Sequence, residues 1–304
     1  MLGLATLALA ACASEPEIDW SYETAVRADT PAGDFRGVTG TVERFSTASD
    51  RVTPRDVEVW LPPSYAAEPE RTYPVIYMHD GQNLFDPEQS QYSGWDWGVD
   101  EAMTELGLEA IVVGVHSDSD TRGDDYFPRK AGLADPGPFR EDMGELTPDN
   151  MNADNYLRFL VEEIKPRIDA DYRTRPGRDD TFVMGSSMGG LISLYAVTEY
   201  PEVFGGAGMV STHFPLGDGA LVNWFDGRLP DSATHRLYFD YGTETLDYNY
   251  EGYQDRMDAV VEAAGYRAGE NWITRKFEGE DHSERAWRNR VHVPLLFLLD
   301  EDTP

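Results

Sequence analysis

The chain has 304 residues, of which 40% are hydrophobic and 12% aromatic, so it is long and apolar enough to fold around a sizeable core. Its 56 acidic and 25 basic residues give a formal net charge of −31, which argues against nucleic acid as a partner. We interpret this charge as a solvated acidic surface adapted to salt, because counterions at high salt screen charges within about 10 Å.

The first residues of the chain predict an export signal. Residues 1–12 are small and apolar but too few to span a bilayer, and acidic residues follow. Residues 9–12, Leu-Ala-Ala-Cys, resemble the lipobox of bacterial lipoproteins, which predicts lipidation of Cys12 and a lipid anchor in the membrane. We therefore expect an exported bacterial lipoprotein, periplasmic or anchored to the outer membrane. An ordinary signal peptide and an unstructured N-terminal segment remain the alternatives.

Cysteine use and composition divide the rest of the chain. Cys12 is the only cysteine, so the chain forms no intramolecular disulfide and no thiolate metal site. Residues 1–14 are assigned to the lipoprotein-type signal peptide. Residues 15–37 are acidic and contain Pro and Gly, which is typical of a linker. We assign residues 38–304 to a single folded domain.

Hydrophobic patterning predicts an α/β fold with a mixed, mostly parallel sheet and helices on both faces. Residues 38–45 and 55–61 alternate polar and apolar positions, as half-buried antiparallel strands do. Further along, short apolar runs alternate with segments of helical spacing, which indicates a parallel sheet covered on both sides. These predicted strands cover residues 75–78, 110–115, 181–185, 206–210, 237–241 and 272–277. The predicted helices cover residues 98–107, 152–170, 188–200, 250–265 and 284–299.

Two long segments lack a steady period. Residues 116–150 are rich in Asp, Gly and Pro, and residues 212–234 form a second irregular insertion. Each segment follows a predicted strand. Ligand sites of α/β proteins lie at the carboxyl ends of strands. We expect both segments to be loops that wall a substrate pocket.

A nucleophile motif lies between a predicted strand and a predicted helix. Residues 185–189, Gly-Ser-Ser-Met-Gly, match G-x-S-x-G, the nucleophile elbow of α/β-hydrolases. Small flanking residues permit the strained turn that projects the serine. The motif alone is weak evidence, but its context is the required strand-turn-helix, so we predict Ser187 as the nucleophile.

A serine hydroxyl needs a general base to take its proton, and histidine is the residue type expected in this role. In this fold the chain order is serine, acid, histidine. Only His282 and His292 follow the last predicted strand. His282 lies in a polar turn and is predicted as the general base, with helix capping as the alternative. His292 lies in an apolar segment, which favours a packing or surface role.

The acid is the least defined member of the predicted triad. The segment after the strand at residues 237–241 contains two carboxylates, Glu244 and Asp247. Asp247 is the first choice because it lies deeper in the loop, and Glu244 is the second. Asp240 is assigned to the strand itself. Asp247 has helix capping as an alternative role.

Attack on an ester carbonyl creates an oxyanion, which backbone N–H groups stabilise. One donor is predicted to be Met188 N–H, directly after the nucleophile. The other comes from the turn after the third strand, which reads His-Asp-Gly-Gln-Asn at residues 79–83. We assign this second donor to Gln82 N–H, because Gly81 permits a close approach of the backbone.

Four segments together resemble the α/β-hydrolase family called putative esterases, which includes the esterase D and enterochelin esterase type. They are residues 79–83, 94–96 (Gly-Trp-Asp), 185–190 and 282–287 (His-Ser-Glu-Arg-Ala-Trp). The resemblance implies that Ser187 and His282 are catalytic and that Met188 and Gln82 form the oxyanion hole. It leaves the acid open, because its position varies among members.

The resemblance extends to residues expected to contact substrate. Residues 122–128 resemble a substrate-side loop of the family, in which Arg122 and Tyr126 would line the pocket, with closure of a surface loop as the alternative. Trp95 is a further candidate for contact with an aromatic or sugar ligand, although most aromatic residues in such a chain are core.

These observations predict a serine carboxylic-ester hydrolase that forms an acyl-enzyme on Ser187. Its partner is a small-molecule ester, and no metal or organic cofactor is implied. The alternatives are an acyltransferase of the same fold and a non-catalytic binding lipoprotein. The sequence does not distinguish acetyl-sugar, feruloyl, siderophore or short acyl esters, and it does not indicate the oligomeric state.

Overall fold

The computed structural model describes residues 38–91, 94–144, 147 and 150–299. The predicted signal peptide with Cys12, and the predicted linker at residues 15–37, lie outside the described residues. Among the helices that are described, none combines the length and the apolar character needed to cross a membrane.

A mixed eight-stranded sheet organises the chain. Its strands, in chain order β1 to β8, are Thr41–Thr47, Arg55–Leu61, Val75–His79, Ile111–Val115, Thr181–Ser186, Gly206–Val210, Arg236–Gly242 and Trp272–Phe277. In space they follow the order β1-β2-β4-β3-β5-β6-β7-β8. β2 runs antiparallel to its neighbours β1 and β4, and the remaining pairs are parallel. The predicted α/β-hydrolase fold is confirmed, and the strand boundaries differ from prediction by a few residues.

The helices α1 to α12 cover the two faces and connect the strands. They are Ser64–Ala67, Val99–Glu105, Arg122–Tyr126, Arg129–Ala134, Arg140–Met143, Ala153–Arg158, Lys165–Asp171, Met188–Glu199, Ala220–Phe225, Glu251–Ala263, Glu284–Arg290 and His292–Leu299. The helix predicted over residues 284–299 is therefore two helices that meet at Val291.

The helix predicted over residues 152–170 forms with an irregular middle. A π-helical segment, Phe159–Ile164, joins α6 to α7. Pro166 lies in the first turn of α7 and has no N–H to donate. The regular hydrogen-bond ladder is therefore interrupted at this proline, and the wider turn lies directly before it.

The first segment predicted as a loop contains helices α3, α4 and α5, and the second contains α9. These helices have four to six residues, which is too short to produce a readable period in the sequence.

Buried contacts fix the first segment to the sheet. Arg55 of β2 donates to Asp125 of α3 at 2.8 Å, and both side chains are almost fully buried.

The core lies on both faces of the sheet, as alternation along each strand requires. In β3, Val75 and Tyr77 join one buried cluster, whereas Ile76 and Met78 join the other. β2 departs from the half-buried prediction. It is an internal strand, and Trp60 is buried on the face opposite Val59.

Candidate active site

Ser187 occupies a strained turn between β5 and α8. Its backbone has φ 58° and ψ −119°, in a region that non-glycine residues rarely adopt. The turn is tight on both sides. A Cβ on Gly185 would lie 2.8 Å from the carbonyl carbon of Gly189, and one on Gly190 would lie 2.6 Å from Oγ1 of Thr212. A side chain at Gly185 or Gly190 would collide with these neighbours, so glycine is required for the turn to pack this closely.

A second turn follows β3 and contains Gln82. Asp80 has a left-handed backbone with φ 57°, and a short 3₁₀ helix follows over Gly81–Asn83. A Cβ on Gly81 would lie 2.4 Å from the carbonyl carbon of Gly114 in β4, so only glycine fits there. The side chain of Gln82 anchors the turn through two hydrogen bonds with Ser117, of 2.9 and 3.0 Å.

The two N–H groups predicted for the oxyanion hole lie in the first turns of these two helical segments. In α8 the first helical hydrogen bond is donated by Gly190, after Met188. In the 3₁₀ helix it is donated by Asn83, after Gln82. N–H groups at helix starts have no partner within the helix, so those of Met188 and Gln82 match the chemistry of an anion site.

Arg122 and Tyr126 brace the Gln82 turn through Asp80. Arg122 donates to the two carboxylate oxygens of Asp80 at 2.7 and 2.8 Å. Burial raises the pKa of Asp80, but the charge and hydrogen bonds of Arg122 outweigh burial and hold the pKa below its usual value. Tyr126 is fully buried, and its hydroxyl accepts a hydrogen bond from Asp80 N at 3.2 Å. Tyr126 therefore supports the Asp80 turn, and its contact with substrate stays a prediction.

His282 and Asp247 are in direct contact. Nδ1 of His282 lies 2.6 Å from Oδ1 of Asp247, whose side chain is fully buried. Oδ2 of Asp247 accepts hydrogen bonds from Ser211 Oγ at 2.6 Å and from Gly242 N at 2.7 Å. Burial raises the pKa of Asp247, but the hydrogen bond and charge of His282, with the other two hydrogen bonds, bring it below its usual value. The carboxylate is thus held ionised beside the imidazole.

The second candidate acid lies elsewhere. Glu244 is exposed, and its backbone N–H donates to the carbonyl of Glu280 at 3.0 Å. The 3₁₀ turn Thr245–Asn249 directs Asp247 inward from this loop. Of the two carboxylates proposed from sequence, the structure therefore brings Asp247 to His282.

A buried polar network that was not predicted from the sequence lies beside Asp247. Ser211 Oγ, which donates to Asp247, accepts hydrogen bonds from Trp287 Nε1 at 3.1 Å and Arg290 Nη2 at 2.8 Å. Arg290 Nε also donates to Asp240 at 3.2 Å. Arg290 is 2% exposed, so this guanidinium is a structural cation within the core.

Aromatic rings enclose the imidazole of His282. Its ring packs edge-on against Trp287 at 5.0 Å and against Tyr250 at 5.9 Å between centroids. Its backbone N–H donates to Thr245 Oγ1 at 2.9 Å. The imidazole is therefore positioned by contacts from the loops after both β7 and β8.

Contacts link the elbow to this imidazole through His213. The backbone N–H of His213 donates to the carbonyl of Ser187 at 3.2 Å, and His213 Nδ1 lies 2.7 Å from the Tyr250 hydroxyl. Tyr250 in turn packs against His282. Among the described residues, no hydrogen bond joins Ser187 Oγ to His282 Nε2, so His213 and Tyr250 provide the observed connection.

Glu284 is a further buried carboxyl that sequence reasoning missed. It follows the cap residue Ser283 at the start of α11 and is only 5% exposed. The pKa of Glu284 is raised to about 7, chiefly by burial and also by the charge of Asp80, against the opposing effects of a backbone hydrogen bond and the charge of Arg122. The loop of His282 and the turn of Asp80 are therefore electrostatically coupled.

Two other predicted positions can be placed. Trp95 is 44% exposed, so its ring is largely open to solvent. Arg122 is mostly covered, with 23% of its side chain exposed beside Asp80. In the part of the chain that the structure describes, no cluster of three or more His, Cys, Asp or Glu has an arrangement that could hold a metal ion.

Comparison with known protein families decides the classification. A family model described as "Putative esterase" matches residues 52–292 of the chain. The chain belongs to this family. The family resemblance read from the sequence is thereby confirmed, and this Putative esterase family member is a carboxylic ester hydrolase.

Individual relatives are distant. Two proteins of Bacillus subtilis (strain 168) are each 27% identical to the chain. One, "Uncharacterized protein YbbA", aligns over 62% of this chain and 68% of its own length. The other, "Ferri-bacillibactin esterase BesA", aligns over 51% of this chain and 53% of its own length.

Solved structures share the fold at low identity. A ferulic acid esterase superposes with a TM-score of 0.63 at 17% identity, covering 86% of this chain and 98% of its own. The BES protein from Bacillus cereus has a TM-score of 0.62 at 17% identity, covering 89% of this chain and 99% of its own. The enterobactin esterase FES from Shigella flexneri, in the presence of enterobactin, has a TM-score of 0.62 at 19% identity, covering 85% and 58%.

Proposed function

We propose that this esterase acts by two-step acyl transfer through a triad of Ser187, His282 and Asp247. The observation that carries the proposal is the 2.6 Å contact between His282 Nδ1 and a buried, ionised Asp247. A carboxylate at Nδ1 holds the imidazole with Nε2 ready to accept a proton. The strained elbow supplies the serine at a strand-to-helix turn, as this chemistry requires.

In the first step His282 Nε2 takes the proton from Ser187 Oγ as the oxygen attacks the ester carbonyl. The N–H groups of Met188 and Gln82 stabilise the oxyanion, a contribution of ~10²- to 10³-fold in rate per donor. His282 returns the proton to the departing alcohol, which leaves an acyl-enzyme on Ser187. Water, activated by the same imidazole, then releases the acid.

The substrate of this proposal is a small-molecule ester. Support comes from the relatives named for esters of this kind, a ferulic acid esterase and a ferri-bacillibactin esterase. Arg122 and Trp95 remain proposed substrate-side residues, Arg122 through its partly exposed guanidinium and Trp95 through its exposed ring.

The serine is tested by replacing its hydroxyl. Ser187→Ala is expected to lower kcat on p-nitrophenyl acetate by ~10⁴-fold or more, judging from related triads. Ser193→Ala is the matched control, because the Ser193 hydroxyl lies in α8, the helix that follows Ser187, and donates to the carbonyl of Gly189 at 2.7 Å. An organophosphonate probe should add its mass to the wild type and to Ser193→Ala, on the peptide that contains Ser187. Full activity in Ser187→Ala would reject the proposal.

We also propose that the mature protein is exported and anchored through a lipid on Cys12. The support is the lipobox-like segment at residues 9–12. Feeding cells a fatty-acid analogue should label the full-length chain and not Cys12→Ser. Label retained by Cys12→Ser would contradict the anchor.

A further inference from the structure

His213 has one ring nitrogen fixed and the other without a partner. Nδ1 lies 2.7 Å from the Tyr250 hydroxyl, and Nε2 forms no hydrogen bond with any described residue. His235 shows the contrast, because both of its ring nitrogens are bonded, Nε2 to the carbonyl of Pro201 at 2.9 Å. His235 is thus satisfied by the fold, whereas the half-buried His213 retains one free hydrogen-bonding position.

His213 lies next to residues of the proposed triad. Its backbone bonds the carbonyl of Ser187, and its ring packs 6.0 Å from Tyr250, the ring that contacts His282. Because Nδ1 faces Tyr250, Nε2 points away from it. Charges from both sides of the catalytic edge act on the imidazole, His282 from the loop after β8 and Arg122 from the segment after β4.

The imidazole is held in its neutral form. Burial lowers the pKa of His213, the charge of His282 lowers it further, and Asp142 and Asp247 oppose these effects. Burial also raises the pKa of the Tyr250 hydroxyl, which therefore stays protonated and able to bond Nδ1. A neutral nitrogen either donates or accepts one hydrogen bond, according to the tautomer.

We propose that His213 contacts the substrate and selects esters of hydroxylated alcohols. A hydroxyl both donates and accepts, so it matches Nε2 in either tautomer. An apolar group at this position would leave a partly buried nitrogen unpaired. The carboxylates Asp142 and Asp247, whose charges act on His213, disfavour an anionic group. The proposal rests on the proposed esterase site, whose substrate class it narrows.

Two esters of the same carbon skeleton test the proposal, glycerol 1-acetate and propyl acetate. His213→Leu is expected to lower the ratio of kcat/KM for glycerol 1-acetate to that for propyl acetate about tenfold, the size of one neutral hydrogen bond. The value of kcat/KM for propyl acetate, which has no hydroxyl to bond Nε2, should fall less than the value for glycerol 1-acetate. His213→Gln, whose amide replaces Nε2, should restore most of the ratio.

Tyr250→Phe is a second, independent variant. It keeps His213 but removes the hydroxyl that fixes Nδ1, so the ratio should fall in the same direction, which keeps the test decisive if His213→Leu does not fold. An unchanged ratio in the folded His213 and Tyr250 variants, or an equal loss on both esters, overturns the proposal.

The failure of this proposal is distinguishable from failure of the proposed function. If the wild type hydrolyses both esters and Ser187→Ala hydrolyses neither, the serine mechanism stands whatever the ratio does. Activity retained by Ser187→Ala rejects the mechanism instead, and the choice of alcohol then has another origin.

Discussion

Ser211 Oγ lies 2.6 Å from Oδ2 of Asp247, so a hydroxyl holds this carboxylate on the oxygen that does not face His282. Ser211 is itself oriented by Trp287 Nε1 and Arg290 Nη2. Both carboxylate oxygens of Asp247 are therefore held, Oδ2 by Ser211 and Oδ1 by His282. Such preorganisation is what electrostatic catalysis requires, because the groups need no rearrangement during reaction.

Asp247→Asn is expected to lower kcat on p-nitrophenyl acetate by ~10³- to 10⁴-fold, because an amide no longer fixes the imidazole tautomer. Glu244→Gln is the matched control on the same loop. Its exposed side chain should leave kcat within a few-fold of wild type. The reverse ranking of the two variants would assign the acid to Glu244.

Arg290→Met is expected to destabilise the fold by about 3–5 kcal/mol, because Asp240 would remain buried without its cation. Urea unfolding measures this difference. Arg285→Met is the control. Arg285 is about half exposed in its 3.1 Å pair with Asp281, and a pair of this kind contributes under about 1 kcal/mol. Equal losses in the two variants would show that Arg290 is not a structural cation.

Gly81→Ala is expected to lower kcat by ~10²-fold or more through displacement of the Gln82 N–H. The added Cβ would lie 2.4 Å from the carbonyl carbon of Gly114, so the turn has to move. Gly252→Ala is the control, because nothing lies within 4 Å of its added Cβ. If Gly81→Ala folds and keeps the kcat of the wild type, Gln82 N–H is not the oxyanion donor.

Glu284 should make stability depend on pH. Its pKa is about 7 in the folded protein against 4.5 for the free side chain. The unfolded chain therefore loses this proton first, and stability falls as pH rises from about 4.5 to 7, by at most about 3 kcal/mol. Glu284→Gln lacks this loss, so its Tm minus that of wild type should grow over this window and level off above pH 7.

The control for this pH dependence is Glu262→Gln, whose side chain is exposed on α10. Its Tm difference from wild type should stay constant over the same pH range. A constant Tm difference for Glu284→Gln as well would mean that folding does not raise the pKa of Glu284.

Local signals made the fold predictable. Apolar runs and helical spacing identified the strands of the parallel sheet, and the strand-turn-helix around Ser187 identified the elbow, because both depend on neighbouring residues. The acid was ambiguous for the opposite reason. Glu244 and Asp247 are three residues apart, and the 3₁₀ turn that buries Asp247 is not readable from composition.

The supporting network could not be predicted, because its members are distant in the chain. Arg290 reaches Ser211 across 79 residues. In the sequence Arg290 is one of three arginines in the helix predicted over residues 284–299, where a surface position is the usual expectation. The hydrogen bond between Tyr126 and Asp80 likewise joins residues 46 positions apart, so only the three-dimensional packing shows it.

The loops after β7 and β8 are joined by backbone hydrogen bonds at the level of Glu280. Its carbonyl accepts from Thr243 N at 2.9 Å and from Glu244 N at 3.0 Å, and a Cβ on Gly242 would lie 2.2 Å from the same oxygen. Acid and base thus belong to one rigid piece of backbone that exists before any ester arrives. No loop closure is therefore needed to bring the acid and the base together.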